Sequence, residues 1–191
     1  MGKVRYGIEN VYYALVDPKT GKYGTPKALK GATALTTEAE GDSNSFYADD
    51  TKYAVFETNA GYTGTLTIAS LEDDARVDLL GEMKDAMGGI YEAVDSTPNA
   101  FAMMYKIKGN VCDQNFVFYE VTLSRPSQEA NTTSDSTDPD TVELNFTAVP
   151  HEMTIGTDTK KVTKYSMELS DANKEVYNGW FTEVKTPSAG A

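Results

Sequence analysis

The residue types that most often carry out catalysis are scarce in this sequence. His151 is the single histidine and Cys112 the single cysteine among 191 residues. A serine or cysteine nucleophile needs a base such as histidine or lysine beside it, and nothing around His151 indicates that pairing. His151 follows Pro150 at the end of a predicted strand, so we interpret it as a surface or turn residue. We interpret Cys112 as a half-buried thiol and expect no catalytic centre.

Acidic residues could bind calcium, which needs only oxygen ligands. Asp42 begins a stretch resembling a calcium loop, but Phe46 and Tyr47 occupy the positions of a ligand and of the glycine that forms the turn. A carboxylate pair for glycoside hydrolysis stays possible in any acidic β protein. No phosphate-binding, dinucleotide-binding or zinc-hydrolase motif is present. We therefore expect no metal and no cofactor, and we interpret three further aspartates as solvated surface charge: Asp135, Asp138 and Asp140.

The net charge excludes several classes of protein. The chain has 17 Lys and Arg against 29 Asp and Glu, a formal charge of −12. Because affinity for phosphate comes mainly from Lys and Arg, this balance argues against a nucleic-acid-binding protein and a polybasic membrane-surface protein. No apolar run of about 18 residues is present, so the sequence predicts no membrane anchor.

The elements that would position any site are mostly β-strands. Apolar and polar residues alternate with a period of two, which is typical of strands with one buried face. The stretch 115–123 is apolar on both faces at its start, so we expect it to be covered on both sides. In the first strand the apolar face switches near Glu9 and Asn10, which predicts a β-bulge. The predicted strands are 4–16, 62–69, 101–108, 115–123, 142–148 and 162–169.

One helix interrupts the β pattern. Ser70 and Asp73 form a predicted capping box, and Gly81 is suited to end the helix in a left-handed conformation. The sequence therefore predicts a helix over about 71–80 that flanks the strands. A weaker helix is expected after Ser170.

A long hairpin rich in aromatic residues is the most informative feature. The stretch 44–58 leads through 59–61 into the strand 62–69, so we expect a hairpin arm over 44–61. Protruding apolar hairpins usually contact a partner; the alternative is that the arm folds back on its own core. We predict a subunit interface formed by Phe46, Tyr47, Tyr53 and Phe56.

The chain otherwise forms one predicted domain, an antiparallel β-sandwich or barrel over 1–169. The Ser/Thr/Asp-rich stretch 126–140 is expected to be a flexible loop. Residues 170–191 are expected to form a C-terminal extension.

Five segments of the sequence resemble phi13-type phage major tail proteins, the tail-tube subunits of long-tailed phages. The arm and the strand after it are the most specific of them. The segments are KVRYGIENVYYALV, GDSNSFYADDTKYAVFETNAGYTGTLTIA, LEDDARVDLLG, NFVFYEVTLSRP and DTVELNFTAVP.

This resemblance implies a tail-tube β-sandwich that assembles into hexameric rings, which stack into a hollow tube for DNA delivery. It also implies assembly in the host cytoplasm, tape-measure and tail-terminator proteins as partners, and DNA that passes without specific binding. The net acidity would then keep phosphates off the tube wall; the alternative is that it only provides solubility. Two other functions stay open from the residues: a carbohydrate- or cell-surface-binding β-sandwich, and a β-sandwich glycosidase.

Overall fold

The computed structural model describes residues 2–48, 50–127 and 140–188 and is mainly antiparallel β. The predicted flexible loop 126–140 lies mostly outside the described residues. The described helices are α1 (Asp73–Leu80) and α2 (Lys174–Asn178). The described strands are β1 (Arg5–Leu15), β2 (Lys27–Ala28), β3 (Ala32–Glu40), β4 (Ser43–Ala48), β5 (Thr51–Glu57), β6 (Gly61–Ile68), β7 (Met83–Lys84), β8 (Ile90–Tyr91), β9 (Phe101–Gly109), β10 (Gln114–Leu123), β11 (Val142–Val149), β12 (His151–Ile155), β13 (Asp158–Val162) and β14 (Lys164–Glu168).

One large sheet organises the fold, in the strand order β2-β1-β9-β10-β11-β6-β3. Strand β10 pairs with β9 along one edge. Along its other edge β10 pairs with β14 through residues 114–118 and with β11 through 120–123. Strands β1 and β3 also contact each other, so the sheet curls towards a barrel. The predicted antiparallel sandwich or barrel is confirmed.

Strand β10 is buried on both faces, as its sequence predicts. Phe116 and Phe118 point into a first core, which the curled sheet encloses, whereas Val117 and Tyr119 point into a second core on the opposite face. Strand β11 instead buries alternate residues only, because its other face meets solvent. The first core also contains Leu66, Ile68, Leu79, Phe101, Met103, Tyr105, Leu144 and Phe146.

The predicted bulge in β1 is confirmed. The register of β1 against β9 shifts between Glu9 and Tyr12, and Asn10 adopts a φ of 51°. Asparagine tolerates this left-handed conformation better than most residues. Because of the extra residue, Ile8 before the bulge and Val11, Tyr13 and Leu15 after it all face the first core.

Helix α1 is present, but its predicted start is wrong. It begins at Asp73, with Glu72 in the N-cap position and no side-chain cap hydrogen bond, so the capping box at Ser70 does not form. The end is as predicted, because Gly81 has a φ of 71° and a ψ of 21°. The helix buries Ala75, Leu79 and Leu80 against the first core.

The C-terminal residues cover the second face of the sheet. The weaker predicted helix is confirmed as α2, and it leads to Trp180, which is fully buried. The indole Nε1 of Trp180 donates to the Phe116 carbonyl at 3.2 Å. The Tyr119 hydroxyl donates to the Lys185 carbonyl at 2.8 Å. Residues 174–185 therefore close the second core.

Candidate assembly surface

The aromatic arm continues the β3–β6 pair beyond the body of the sheet. In the register of that pair Glu40 lies opposite Gly61. At the junction the Thr58 amide donates to the Asp42 carbonyl at 2.9 Å. Beyond it, β4 and β5 pair in a two-stranded sheet of their own. Within the described residues, β4 and β5 make their extensive contacts with each other only.

The position of the turn differs from the prediction. The sequence places the turn at 59–61, after a single long strand, but the chain reverses between Ala48 and Thr51, which face each other in the register. Asp50 has a φ of 58° there. Aspartate tolerates that conformation, so the turn needs no glycine or proline and gives no strong sequence signal. Residues 58–60 form the junction between two paired segments.

The four predicted interface residues all lie on the arm. Tyr53 is 75% exposed, and Val55, two residues further along the same face of β5, is 45% exposed. Phe46 and Tyr47 lie in β4, and Phe56 lies in β5. The side chains of these three phenylalanine and tyrosine residues lie outside the described part of the structure. Their role in an interface therefore stays a prediction.

Exposed apolar residues also occur where the sequence analysis did not place a surface. Met87 and Val94, in the connection that follows α1, are 96% and 102% exposed. Val4 and Tyr6, at the start of the chain, are also exposed. Scattered exposed apolar residues are common on soluble proteins, and no periodic pattern distinguishes these four. These four side chains are exposed because no neighbouring element among the described residues covers them, and sequence alone does not reveal which elements will be neighbours.

His151 is not the surface residue that the sequence predicts. Its side chain is only 14% exposed, and its Nδ1 lies 2.9 Å from Glu120 Oε2. The imidazole ring also packs 5.6 Å from the Tyr23 ring, centroid to centroid. Both neighbours are distant in sequence, so the burial of His151 arises from tertiary contacts. No serine or cysteine is hydrogen-bonded to this histidine within the described residues, so no nucleophile–base pair is assembled around it.

Cys112 is half-buried, as predicted. Its thiol donates to Glu168 Oε2 at 3.5 Å. The Lys3 ammonium also binds that carboxylate, at 2.5 Å, and this hydrogen bond lowers the pKa of Glu168. The Cys112 thiol thus contacts the ion pair of Lys3 and Glu168, which links the start of the chain to β14.

A cavity of about 500 Å³ lies beside α1 and the start of β11. Four of its charged side chains form two ion pairs: Arg76 Nε lies 2.7 Å from Glu82 Oε2, and Arg125 Nε lies 2.7 Å from Glu92 Oε1. Its described lining contains no aromatic side chain. The cavity therefore lacks the aromatic platform that the carbohydrate-binding alternative requires.

Among the residues that the structure describes, no group of three or more histidine, cysteine, aspartate or glutamate side chains lies close enough to hold a metal ion. None of the described helices is long and apolar enough to span a membrane.

The described chain is a curled antiparallel sheet from which a two-stranded arm extends. The sequence matches the family described as phage tail tube protein over residues 2–187, so the chain belongs to that family. No curated protein matches the sequence. The predicted resemblance to phage major tail proteins is thereby confirmed, and the protein is a structural component of the phage tail.

Proposed function

We propose that this protein assembles into hexameric rings that stack into a tail tube, the passage through which phage DNA is delivered. The observation that carries the proposal is the arm, which projects from the sheet in a chain of the tail tube family. A two-stranded ribbon alone is marginally stable in water. Contact with a neighbouring subunit would supply the buried area that the ribbon lacks in the single chain.

The exposed face of β5 supports an assembly role for the arm. Tyr53 and Val55 present apolar surface to solvent, and aromatic side chains are enriched at the buried centres of interfaces. A ring of identical subunits uses two different surfaces of each subunit, and a stack of such rings grows as a filament. The arm would provide one of those surfaces, either within a ring or between rings.

The acidity of the chain supports a conduit that does not retain DNA. A charge of −12 per subunit, repeated around a ring, repels phosphates within roughly one Debye length of the wall, about 8 Å at physiological ionic strength. The subunit would then need neither a cofactor nor a catalytic residue. Assembly would take place in the host cytoplasm, with tape-measure and tail-terminator proteins as further partners.

Replacing the arm tests the proposal. Asp42 and Thr58 are hydrogen-bonded to each other across the junction, so an Asn-Gly turn can join them in place of residues 43–57. We expect this variant to fold, because the replaced strands make their extensive contacts only with each other, and to form no tubes. Fluorescence of the buried Trp180 checks the fold, and negative-stain microscopy checks the assembly.

A point variant with a matched control sharpens the test. Val55→Asp places a charge on the arm, whereas Val176→Asp places the same charge on α2 at nearly equal exposure, 45% against 44%. We expect only Val55→Asp to prevent assembly. Normal tubes from the arm-replaced protein, or equal loss of assembly in both point variants, would contradict a specific role for the arm. Glycan binding by a protein that stays monomeric would favour the carbohydrate-binding alternative.

A further inference from the structure

One face of strands β3, β6 and β11 is uncovered among the described residues. The register of these strands aligns their side chains in rows across the sheet, and in the central row Thr36, Thr65 and Asn145 lie side by side. These side chains alternate with Leu66 and Leu144, which belong to the first core, so they point away from it. All the side chains of the three central rows are exposed or half-buried. We call them the threonine face: Ala34, Thr36, Glu38, Thr63, Thr65, Thr67, Glu143, Asn145 and Thr147.

The opposite side of the molecule is already covered. Strand β9 faces β6 across the first core, because Met103 and Leu66 both point into that core. The alternate side chains of β9, Ala102 and Met104, belong to the second core, which Trp180 and the residues around it close. The threonine face and the C-terminal residues therefore lie on opposite sides of the first core.

The threonine face carries no cation of its own. Strands β3, β6 and β11 together contain seven threonines and no lysine, arginine or histidine. By contrast, β1, β9, β13 and β14 each contain at least one lysine or arginine. The charged side chains of the face are the exposed carboxylates of Glu38 and Glu143. Because affinity for phosphate comes mainly from lysine and arginine, the face offers DNA no attractive charge.

The hydroxyl groups in the central row of the face are hydrogen-bonded within the sheet. The Thr65 hydroxyl donates to Asn145 Oδ1 at 2.7 Å, and the Thr36 hydroxyl donates to the Thr65 carbonyl at 3.4 Å. A hydroxyl group has one proton to donate, and neutral donors such as threonine hydroxyls are a second source of phosphate contacts in proteins. The central row therefore offers phosphate oxygens neither a positive charge nor a free hydroxyl proton.

We propose that the threonine face lines the lumen of the tail tube and is the surface past which double-stranded DNA moves. This inference rests on the proposed tube assembly and names the part of the subunit that forms the wall. A wall without cations, whose central hydroxyl groups are already hydrogen-bonded, does not hold the phosphate backbone. Burial against another subunit suits this face less, because interface centres are enriched in aromatic residues and Ala34 is the single apolar residue of the face.

Cysteine labelling tests which way the threonine face points in the tube. Cys112 is the single cysteine of the chain, so in a Cys112→Ser background Thr65→Cys places the only thiol on this face, and Lys174→Cys places it on α2. Two maleimides are compared: a small one, and one carried by a folded protein that is too large to enter the tube. We expect Thr65→Cys to react with both maleimides in free subunits and to lose the reaction with the large one in tubes. Lys174→Cys should react with both maleimides before and after assembly.

Lysine substitution tests the consequence for DNA. Tubes are assembled in the presence of short duplex DNA and then treated with a nuclease, which digests the DNA outside the tube. We expect Thr65→Lys tubes to retain nuclease-protected DNA at about 50 mM salt and to release it at about 200 mM salt. Wild type should retain none, and neither should the control Val176→Lys, which adds the same charge to an exposed position on α2.

Three results would overturn the inference. Reaction of Thr65→Cys with the large maleimide in tubes would place the face on the outside, and protection from both maleimides would bury it between subunits. Equal retention of DNA by the two lysine variants would mean that the added charge does not act from the lumen. Wild-type protein that forms no tubes contradicts the proposed function itself, whereas tubes that give any of these three results contradict only the inference.

Discussion

Replacing Trp180 tests whether the C-terminal residues are part of the fold or a dispensable addition. Trp180 is fully buried, its ring lies 5.5 Å from that of Tyr165, and its indole Nε1 donates to the Phe116 carbonyl. Trp180→Ala removes this packing and leaves a cavity between residues 174–185 and the sheet. Substitutions of this kind cost about 3–5 kcal/mol of unfolding free energy.

The expected loss is large compared with the total stability of a domain, about 5–15 kcal/mol. With an m-value of about 2 kcal/mol per molar urea, a loss of 3–5 kcal/mol lowers the unfolding midpoint by about 1.5–2.5 M. Trp180→Phe keeps most of the ring volume but loses the indole hydrogen bond, so we expect it to cost about 1–2 kcal/mol.

Urea unfolding followed by far-UV circular dichroism measures these losses without relying on the replaced tryptophan. Limited proteolysis gives a second measurement, because a detached C-terminal segment would be cleaved before the rest of Trp180→Ala unfolds. A cost below about 1 kcal/mol for Trp180→Ala, with unchanged proteolysis, would refute the account of the second core.

Two further predictions concern the sheet and its charges. In Gly64→Ala the new Cβ would collide with the Thr36 carbonyl and lie 2.6 Å from Phe146 Cζ. Urea unfolding should therefore show a loss of about 1–3 kcal/mol in the free energy of unfolding. The control Gly2→Ala places its Cβ in open space and should leave the free energy of unfolding unchanged. Lys108 and Lys106 lower the pKa of Glu9 below its ordinary 4.5. The stabilisation by the ionised Glu9 carboxylate is therefore present above pH 4.5 and is lost as the pH falls through the pKa of Glu9 in the folded protein. Wild type should be more stable than Glu9→Gln at neutral pH, and the two proteins should become equally stable at low pH. A difference that persisted at low pH would exclude the carboxylate as its source.

The strands that could be predicted are those whose burial leaves a periodic pattern. Leu144, Phe146 and Ala148 alternate with polar residues because β11 has one buried face, and β10 is apolar on both faces because two cores cover it. Strand β3 was missed, because most of its residues are exposed and Thr, Ala and Glu give no clear alternation. Its position is set by pairing with β6, a contact between distant residues.

The candidate site was predictable as a segment but not in its geometry. The aromatic content of 44–58 indicates a hairpin, and Tyr53 is exposed there. The turn at Asp50 lacks the glycine or proline that marks most turns, so its position could not be predicted. The burial of His151 depends on Glu120 and Tyr23, residues that only the folded sheet brings together.

Electron microscopy of purified wild-type protein shows directly whether the subunit forms a tail tube. We expect hollow tubes of stacked rings, six subunits to a ring, in which the arm formed by β4 and β5 extends from one subunit to a neighbouring copy. Protein that stays monomeric at high concentration, or tubes in which each arm packs only on its own subunit, would contradict it.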